Sequence, residues 1–215
     1  MTDLFYIKKP SSLNENAPLL IMCHGYGSDE NDLFSFASEL PDELFIISLR
    51  APYAMQLFGN AWYAINFDAE KGKWNDNEQA KQSVDMISRF IDYACSTYPV
   101  NPKNVTLLGF SQGSILSYAV ALNYPNKVKN VVALSGYINE DILPQEGIDN
   151  AHVLHLNFFC SHGSVDQVIP IDWARKVPVF LKGLEVNHTY KEYPVGHGVA
   201  PQNFYDLKNW LRQYI

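Results

Sequence analysis

Cysteine is scarce in this chain, and its few thiols follow no pairing pattern. The 215 residues contain three cysteines, Cys23, Cys95 and Cys160, and none of them forms a C-x-x-C motif. An odd number of widely spaced cysteines argues against a disulfide framework. Cys23 and Cys160 lie in apolar runs, where a buried free thiol is usual. We therefore expect a protein of a reducing compartment, the cytoplasm.

Long apolar runs and an excess of basic charge are also missing. No uninterrupted apolar stretch approaches the roughly 20 residues of a membrane span. Residues 1–6 lack a basic region followed by an apolar one, so no secretory signal is expected. The 16 Lys and Arg residues against 23 Asp and Glu give a formal net charge of −7. This balance argues against nucleic acid or an anionic membrane as a partner, because both require a basic face.

What the chain does contain predicts a single α/β domain spanning residues 1–215. Hydrophobic residues make up 47% of it, enough for a sizeable core. Strand-like and helix-like segments alternate, which is typical of an α/β sheet. Continuous apolar runs predict strands covered on both faces at residues 19–23, 44–49 and 130–135. Periodicity and flanking prolines predict helices at residues 32–39, 77–98 and Pro201–Tyr214.

The segment G-F-S-Q-G at residues 109–113 is the most informative. It follows a strand-like run and precedes an apolar helical pattern. A nucleophile elbow presents a serine on a sharp strand-to-helix turn. Such a turn requires small residues on either side, and Gly109 and Gly113 supply them. Ser111 would then lie at a helix N-terminus, whose partial positive charge favours a developing anion. The pentapeptide alone also fits an ordinary turn, but its flanking elements favour the catalytic interpretation.

A serine nucleophile needs a base, and the base needs an acid that orients it. In this fold class the acid and then the histidine follow the serine along the chain. Asp166 lies on a loop after the strand-like residues 157–160, and His197 lies on a loop after residues 189–193. Both loops should therefore lie at the sheet edge where Ser111 is expected.

Two other carboxylates compete with Asp166 for the role of the acid. Asp149 precedes its strand and so lies on the wrong side of it, whereas Asp172 suits the start of a helix. Asp166 is therefore favoured. His162 precedes the acid, and we expect it to make structural hydrogen bonds.

Residues 51–76 form a long connection that is rich in aromatic side chains. Loops of this length are usually functional, and this one should lie beside the catalytic edge. We expect Phe58, Trp62 and Phe67 to bind the substrate. The alternative is a surface meander packed by its own side chains. Neither this connection nor the polar stretch at residues 136–151 is long enough for a separate cap domain.

Several further motifs occur in a recognisable order. They are H-G-Y-G-S-D-E-N-D-L at residues 24–33, R-A-P at 50–52, G-N-A-W-Y at 59–63, G-F-S-Q-G at 109–113, H-G-S-V-D-Q-V-I-P at 162–170 and G-H at 196–197. With these motifs the chain resembles the phospholipase/carboxylesterase family of small α/β-hydrolases, which includes the acyl-protein thioesterases. The resemblance runs nearly end to end. It implies an α/β-hydrolase fold, with a mostly parallel central sheet flanked by helices and no large cap domain.

The resemblance also implies roles for individual residues. It implies Ser111, Asp166 and His197 as the catalytic triad, and the backbone N–H groups of Tyr26 and Gln112 as the oxyanion hole. The chain departs from the family pattern at Leu49, where proline is frequent, and at residues 62–64, where Trp-Phe-Asp is frequent. Both departures concern the wall of the pocket.

The predicted function is that of a serine carboxylesterase. It would hydrolyse short- to medium-chain carboxylic esters through an acyl-enzyme, with no cofactor and a small-molecule ester or thioester as substrate. His152 and His155 lack further ligands, so no metal is expected. An acyl-protein thioesterase or a lysophospholipase is the alternative, and a non-catalytic ligand-binding α/β-hydrolase is a more distant one. The sequence leaves the oligomeric state open, a homodimer included.

Overall fold

A mostly parallel β-sheet lies at the centre of the molecule. The computed structural model describes residues 4–68 and 72–215, with the backbone alone at residues 67–68 and 72–74. The strands are β1 (Tyr6–Lys9), β2 (Ala17–Cys23), β3 (Phe45–Leu49), β4 (Tyr53–Ala54), β5 (Asn60–Ala61), β6 (Ile65–Asp68), β7 (Gly72–Asn75), β8 (Val100–Phe110), β9 (Asn130–Leu134), β10 (Asn157–Gly163) and β11 (Asn187–Tyr193). The helices are α1 (Asn31–Phe34), α2 (Asn77–Thr97), α3 (Gln112–Asn123), α4 (Asn150–Val153), α5 (Ile171–Ala174), α6 (Lys176–Gly183) and α7 (Pro201–Tyr214).

The strand order places the carboxyl ends of the parallel strands at one edge. The order across the main sheet is β1-β3-β2-β8-β9-β10-β11. β1 pairs antiparallel with β3, and the following pairs are all parallel. The loops that leave β2, β8, β9, β10 and β11 therefore meet at the same edge, which is where open α/β sheets bind their ligands.

Both faces of the sheet are covered, and β2 shows how. Leu19 and Ile21 point into a cluster that includes buried residues of α2 and α3. Leu20 and Met22 point the other way, into a cluster with residues of α1 and α7. Because successive side chains of a strand point to opposite faces, a strand covered on both faces is a continuous apolar run. The strands predicted from such runs are confirmed within one or two residues at each end.

Helix α3 is enclosed by the rest of the fold. Its residues from Gln112 to Leu122 are all buried, and it packs against β8, β9 and α2. A helix that is apolar on all sides is a core helix. Helix α2 covers it from outside. α2 begins where the side chain of Asp76 accepts a hydrogen bond from the backbone N–H of Gln79, and it ends at Thr97, before Pro99.

Two predicted segments differ from the structure. The helix expected at residues 32–39 is reduced to the four residues of α1, because the chain continues in turns closed by i→i+3 hydrogen bonds such as Phe36 N–H to Leu33 O. The connection at residues 51–76 is not a structureless loop. It contains two antiparallel hairpins, β4 with β5 and β6 with β7.

In the part of the chain that the structure describes, no helix is long and apolar enough to cross a bilayer. The three thiols are free: Cys23 and Cys160 are buried in strands, and Cys95 is half-buried in α2.

The central position of β2 makes a test of the core straightforward. Ile21→Ala removes most of a side chain that is fully buried between β3 and β8. We expect a loss of about 2–5 kcal/mol in the free energy of unfolding, because the deleted methyl groups leave a cavity. Urea denaturation measures this loss. Val179→Ala, at a side chain that is 72% exposed, is the control and should change stability by less than about 0.5 kcal/mol. A similar effect in both variants would contradict this description of the core.

Candidate active site

Ser111 lies between β8 and α3 with a backbone that few residues adopt. Its φ is 53° and its ψ is −117°. A non-glycine residue with positive φ costs about 1–3 kcal/mol, and such strain persists only where the surroundings enforce it. The surroundings here are tight. A Cβ at Gly113 would collide with the backbone of Cys23, and a Cβ at Gly109 would collide with the backbone of Gly113. These glycines let the strand and the helix meet closely enough to form the turn.

The structure brings His197 and Asp166 to this serine. His197 Nε2 lies 2.9 Å from Ser111 Oγ, and His197 Nδ1 lies 2.7 Å from Asp166 Oδ2. A carboxylate only accepts, so Nδ1 carries the proton and Nε2 of the neutral ring is free to accept from the serine hydroxyl. The three side chains come from the loops after β8, β10 and β11, as expected from the parallel sheet. This geometry is that of a nucleophile, a base and an orienting acid.

Asp166 is held as an anion by its neighbours. Its side chain is fully buried, and Oδ1 accepts hydrogen bonds from the backbone N–H groups of Val168 and Ile169 at 2.8 and 3.0 Å. Burial alone would raise the pKa of this carboxyl. The hydrogen bonds from His197, Ile169 and Val168 outweigh burial, so the pKa of Asp166 is lowered.

The rival carboxylates have other partners. The side chain of Asp149 caps α4 by accepting from the backbone N–H of Ala151. Asp172 lies in the first turn of α5, exposed, with Arg175 at 3.7 Å. His162 is buried and makes the structural hydrogen bonds that we predicted. Its Nε2 lies 3.0 Å from the carbonyl oxygen of Ile169 and 3.3 Å from Asp166 Oδ2, so Nε2 carries the proton.

Tyr26 and Gln112, the predicted oxyanion-hole residues, both border the cavity that contains Ser111. Gln112 is the first residue of α3, and the first N–H groups of a helix have no intrahelical acceptor. Tyr26 lies on the loop after β2. His24 holds that loop from behind: Nδ1 donates to Gly25 O at 2.7 Å, and Nε2 accepts from Ala51 N–H at 3.0 Å. Burial lowers the pKa of His24, which favours the neutral ring that this arrangement requires.

The side chain of Gln112 makes structural hydrogen bonds that the sequence did not indicate. The sequence predicts a role only for its backbone N–H group, as an oxyanion-hole donor. In the structure, Gln112 Oε1 accepts from Trp62 N–H and Nε2 donates to Tyr63 O, both at 2.8 Å. A buried amide with both ends satisfied ties the elbow to the connection after β3.

The cavity beside Ser111 has a volume of about 590 Å³, which is within the usual range for small-molecule sites. Its walls are mainly apolar. They include Tyr63 and Ile65 of the connection at residues 51–76, which the sequence places at the pocket, and also Ile115, Tyr137, Ile169 and Trp173, for which no binding role was predicted. Tyr137 follows the end of β9, so the rule that ligands bind at strand ends could have indicated it. Within the connection at residues 51–76, no sequence signal singled out Ile65, which the β6–β7 hairpin brings to the cavity.

The predicted substrate-binding residues need correction. Trp62 has an exposed fraction of 0% and donates from Nε1 to His24 O, so it packs behind the site and does not line it. Phe58 is 77% exposed and borders a shallow depression with Gly27 and Ser28. Neither side chain is among those that line the cavity at Ser111, since Trp62 is buried behind it and Phe58 borders a separate depression. The backbone of Phe67 lies in β6, and its side chain is outside the described part of the structure.

Known structures and sequences show which proteins this chain is similar to. The structure of the Bacillus cereus carboxylesterase superposes with a TM-score of 0.83 at 20% identity, covering 99% of this chain and 95% of that one. A probable carboxylesterase of Oryza sativa subsp. japonica is 25% identical over 72% of this chain and 58% of its own length. Acyl-protein thioesterase 1 of Saccharomyces cerevisiae is 31% identical over 72% of this chain and 69% of its own length. The chain thus spans less than two thirds of the rice relative.

The fold is that of the α/β-hydrolases, and no large cap domain is present in the described residues. The profile of the Phospholipase/Carboxylesterase family matches residues 5–215, and the chain belongs to that family. Its carboxylesterases and thioesterases are serine hydrolases.

The ion pair between Arg50 and Glu30 gives a test that involves none of Ser111, Asp166 and His197. Arg50 donates to the buried carboxylate of Glu30 from Nε at 2.6 Å and from a terminal nitrogen at 2.5 Å. These hydrogen bonds lower the pKa of Glu30 against the opposing effect of burial. When the pKa of a carboxyl is lower in the folded than in the unfolded protein, its ionisation stabilises the folded state. This stabilisation is fully present above the unfolded pKa of about 4.3 and is lost as pH falls through the folded pKa.

We expect Glu30→Gln to reduce the free energy of unfolding by about 1–3 kcal/mol near pH 7. The difference from the wild type should shrink as pH falls below about 4.3, because the unfolded wild type then binds a proton at Glu30 that the folded protein, with its lowered pKa, does not yet bind. Urea denaturation at a series of pH values measures both effects. Glu39→Gln is the control, since Glu39 is exposed. A loss that stays constant down to about pH 3 would contradict the role of the ion pair.

Proposed function

We propose that this chain is a serine esterase that hydrolyses carboxylic esters of short to medium acyl chain length through an acyl-enzyme. The observation that carries the proposal is the Ser111–His197–Asp166 hydrogen-bond chain, which opens into an apolar cavity of about 590 Å³. The family supports the same class of reaction.

The mechanism follows from the distances. His197 Nε2 takes the proton of Ser111 as the serine oxygen attacks the ester carbonyl. Asp166 keeps the proton of His197 on Nδ1 and stabilises the imidazolium that forms. The imidazolium then protonates the leaving alcohol, and water cleaves the acyl-enzyme by the same steps in reverse order.

The negative charge that develops on the carbonyl oxygen needs donors in place before the reaction. The backbone N–H groups of Tyr26 and Gln112 are proposed for this role. Each such donor is worth about 3–4 kcal/mol of transition-state stabilisation. The helix N-terminus at Gln112 adds a favourable partial charge. The fixed turn at Ser111 and the hydrogen bonds that hold the loop of Tyr26 support the preorganisation of these two donors.

The apolar walls favour a hydrocarbon acyl chain over a charged substrate. Each methylene buried in such a cavity contributes up to about 0.8 kcal/mol. We propose free esters or thioesters as substrates, with no nucleic-acid partner, since the net charge of −7 offers no attraction to a polyanion. The free thiols fit the reducing cytoplasm as the location.

An acyl-protein thioesterase is the second candidate, and it fits the site equally well. The same acyl-enzyme chemistry cleaves a thioester, and the yeast relative carries that name. Turnover of matched octanoyl ester and octanoyl thioester substrates, followed by an S-acylated peptide, separates the two. Strong preference for the acylated peptide would favour the thioesterase, whereas equal or better turnover of the free ester would favour the esterase. Preference for lysophosphatidylcholine would point to a lysophospholipase.

Removal of the nucleophile is the direct test of the mechanism. Ser111→Ala should lower ester turnover by about 10⁴-fold or more and abolish covalent labelling by a fluorophosphonate probe. Circular dichroism should show the wild-type fold. An unlabelled wild-type protein with no turnover would instead support a non-catalytic binding protein. An alanine variant that kept a tenth of the wild-type turnover would exclude Ser111 as the nucleophile.

The choice of acid is tested by a matched pair of substitutions. Asp166→Asn should lower turnover by roughly 10³–10⁴-fold, because a neutral amide neither fixes the tautomer of His197 nor balances the imidazolium. Asp149→Asn keeps turnover near the wild-type level, since its carboxylate caps α4. Steady-state kinetics on one p-nitrophenyl ester measures both. Equal effects would show that Asp166 is not the acid.

A further inference from the structure

A second cavity adjoins the one that contains Ser111. Its volume is about 510 Å³, and it lies between the start of α2, the loop after β9, and helices α5 and α6. Three side chains border both cavities: Asn75, Tyr137 and Trp173. These three side chains therefore lie at the boundary between the two cavities.

The shared side chains are packed together as a unit. The rings of Tyr137 and Trp173 meet edge to face, with centroids 5.0 Å apart and an interplanar angle of 72°. This geometry is favourable for aromatic pairs. The hydroxyl of Tyr137 accepts a hydrogen bond from Asn75 Nδ2 at 3.0 Å. The tyrosine is thus held at its ring by one neighbour and at its hydroxyl by another.

The two cavities differ in character on either side of this pair. The cavity at Ser111 has the aliphatic walls Ile65, Ile115 and Ile169. The walls of the second cavity are mixed, with the polar or charged Asn77, Asp141 and Lys176 beside the apolar Val177 and Phe180. A hydrocarbon chain gains free energy only where it leaves water for apolar surroundings. A chain that extends from Ser111 therefore reaches the end of its aliphatic surroundings at the ring pair.

We propose that Tyr137 and Trp173 close the acyl cavity and set the upper limit of the chain length it holds. This inference rests on the proposed function only for its catalytic consequence, since the limit also applies to a bound fatty acid. Within the limit, affinity rises by up to about fourfold for each added methylene. Beyond it, added methylenes give no further gain or lower the affinity.

The binding of fatty acids measures the chain-length limit of the cavity without any turnover. Saturated fatty acids from butyrate to palmitate are titrated into Ser111→Ala by isothermal calorimetry, below their critical micelle concentrations. The affinity should climb with chain length and then level off or fall. In Ser111→Ala combined with Tyr137→Ala, the two spaces are joined, and the length at which the gain ends should increase by about two carbons or more.

Three further variants keep the test decisive. Trp173→Ala, at a side chain that is 46% exposed, should move the limit in the same direction even if the tyrosine variant fails to fold. Tyr137→Phe keeps the ring and removes only the hydrogen bond to Asn75, so it should keep the wild-type limit. Val179→Ala, on the exposed side of α6, controls for an apolar truncation elsewhere.

The kinetic counterpart uses p-nitrophenyl esters of the same acyl chains with Ser111 intact. The chain length with the highest kcat/KM should shift to longer esters in Tyr137→Ala and Trp173→Ala. If the wild type cleaves no ester, the proposed function fails, while the binding series still decides the role of the ring pair. An unchanged length limit in both folded alanine variants would overturn this inference.

Discussion

The backbone of Ser111 is the constraint on which the rest of the site depends. A positive φ at a serine is unfavourable, and it is imposed here by the close packing of α3 on the ends of β2 and β8. Gly113 permits that packing, because any side chain there would collide with the backbone of Cys23. The burial of α3 in the core thus supplies the free energy that holds Ser111 in place. The reactive geometry is a consequence of core packing.

Around this turn, hydrogen bonds to the backbone hold the neighbouring loops. His24 bonds to Gly25 and Ala51, and Gln112 bonds to the backbone of Trp62 and Tyr63. Such bonds fix main-chain positions with little dependence on the exposed side chains nearby. The chemistry and the selectivity are therefore carried by different parts of the molecule. Strand ends and helix termini position Ser111, Asp166 and His197, whereas hairpins, loops and helix residues such as Ile115 form the walls of the cavity.

The walls combine rigid and variable elements. Ile115 belongs to the buried helix α3, and its position is tied to that of Ser111. Ile65 and Asn75 belong to the β6–β7 hairpin, and Tyr137 belongs to the loop after β9. Loops vary in sequence and length more readily than the elements they connect. A change in those loops would alter which chain fits while the elbow and its partners stay unchanged.

The sequence by itself determined the parallel strands of the main sheet, the long helices and the three residues that meet at the sheet edge. These follow from short-range patterns and from the rule that parallel strands end together, which applies to Ser111, Asp166 and His197 alike. Only the tertiary structure decided which side chains line the cavity. Tyr137 meets Asn75 across 62 positions of the chain. Within the connection at residues 51–76, Trp62 is buried behind the cavity, whereas Tyr63 and Ile65 line it. Such contacts depend on how hairpins turn in space, and no local periodicity records that direction.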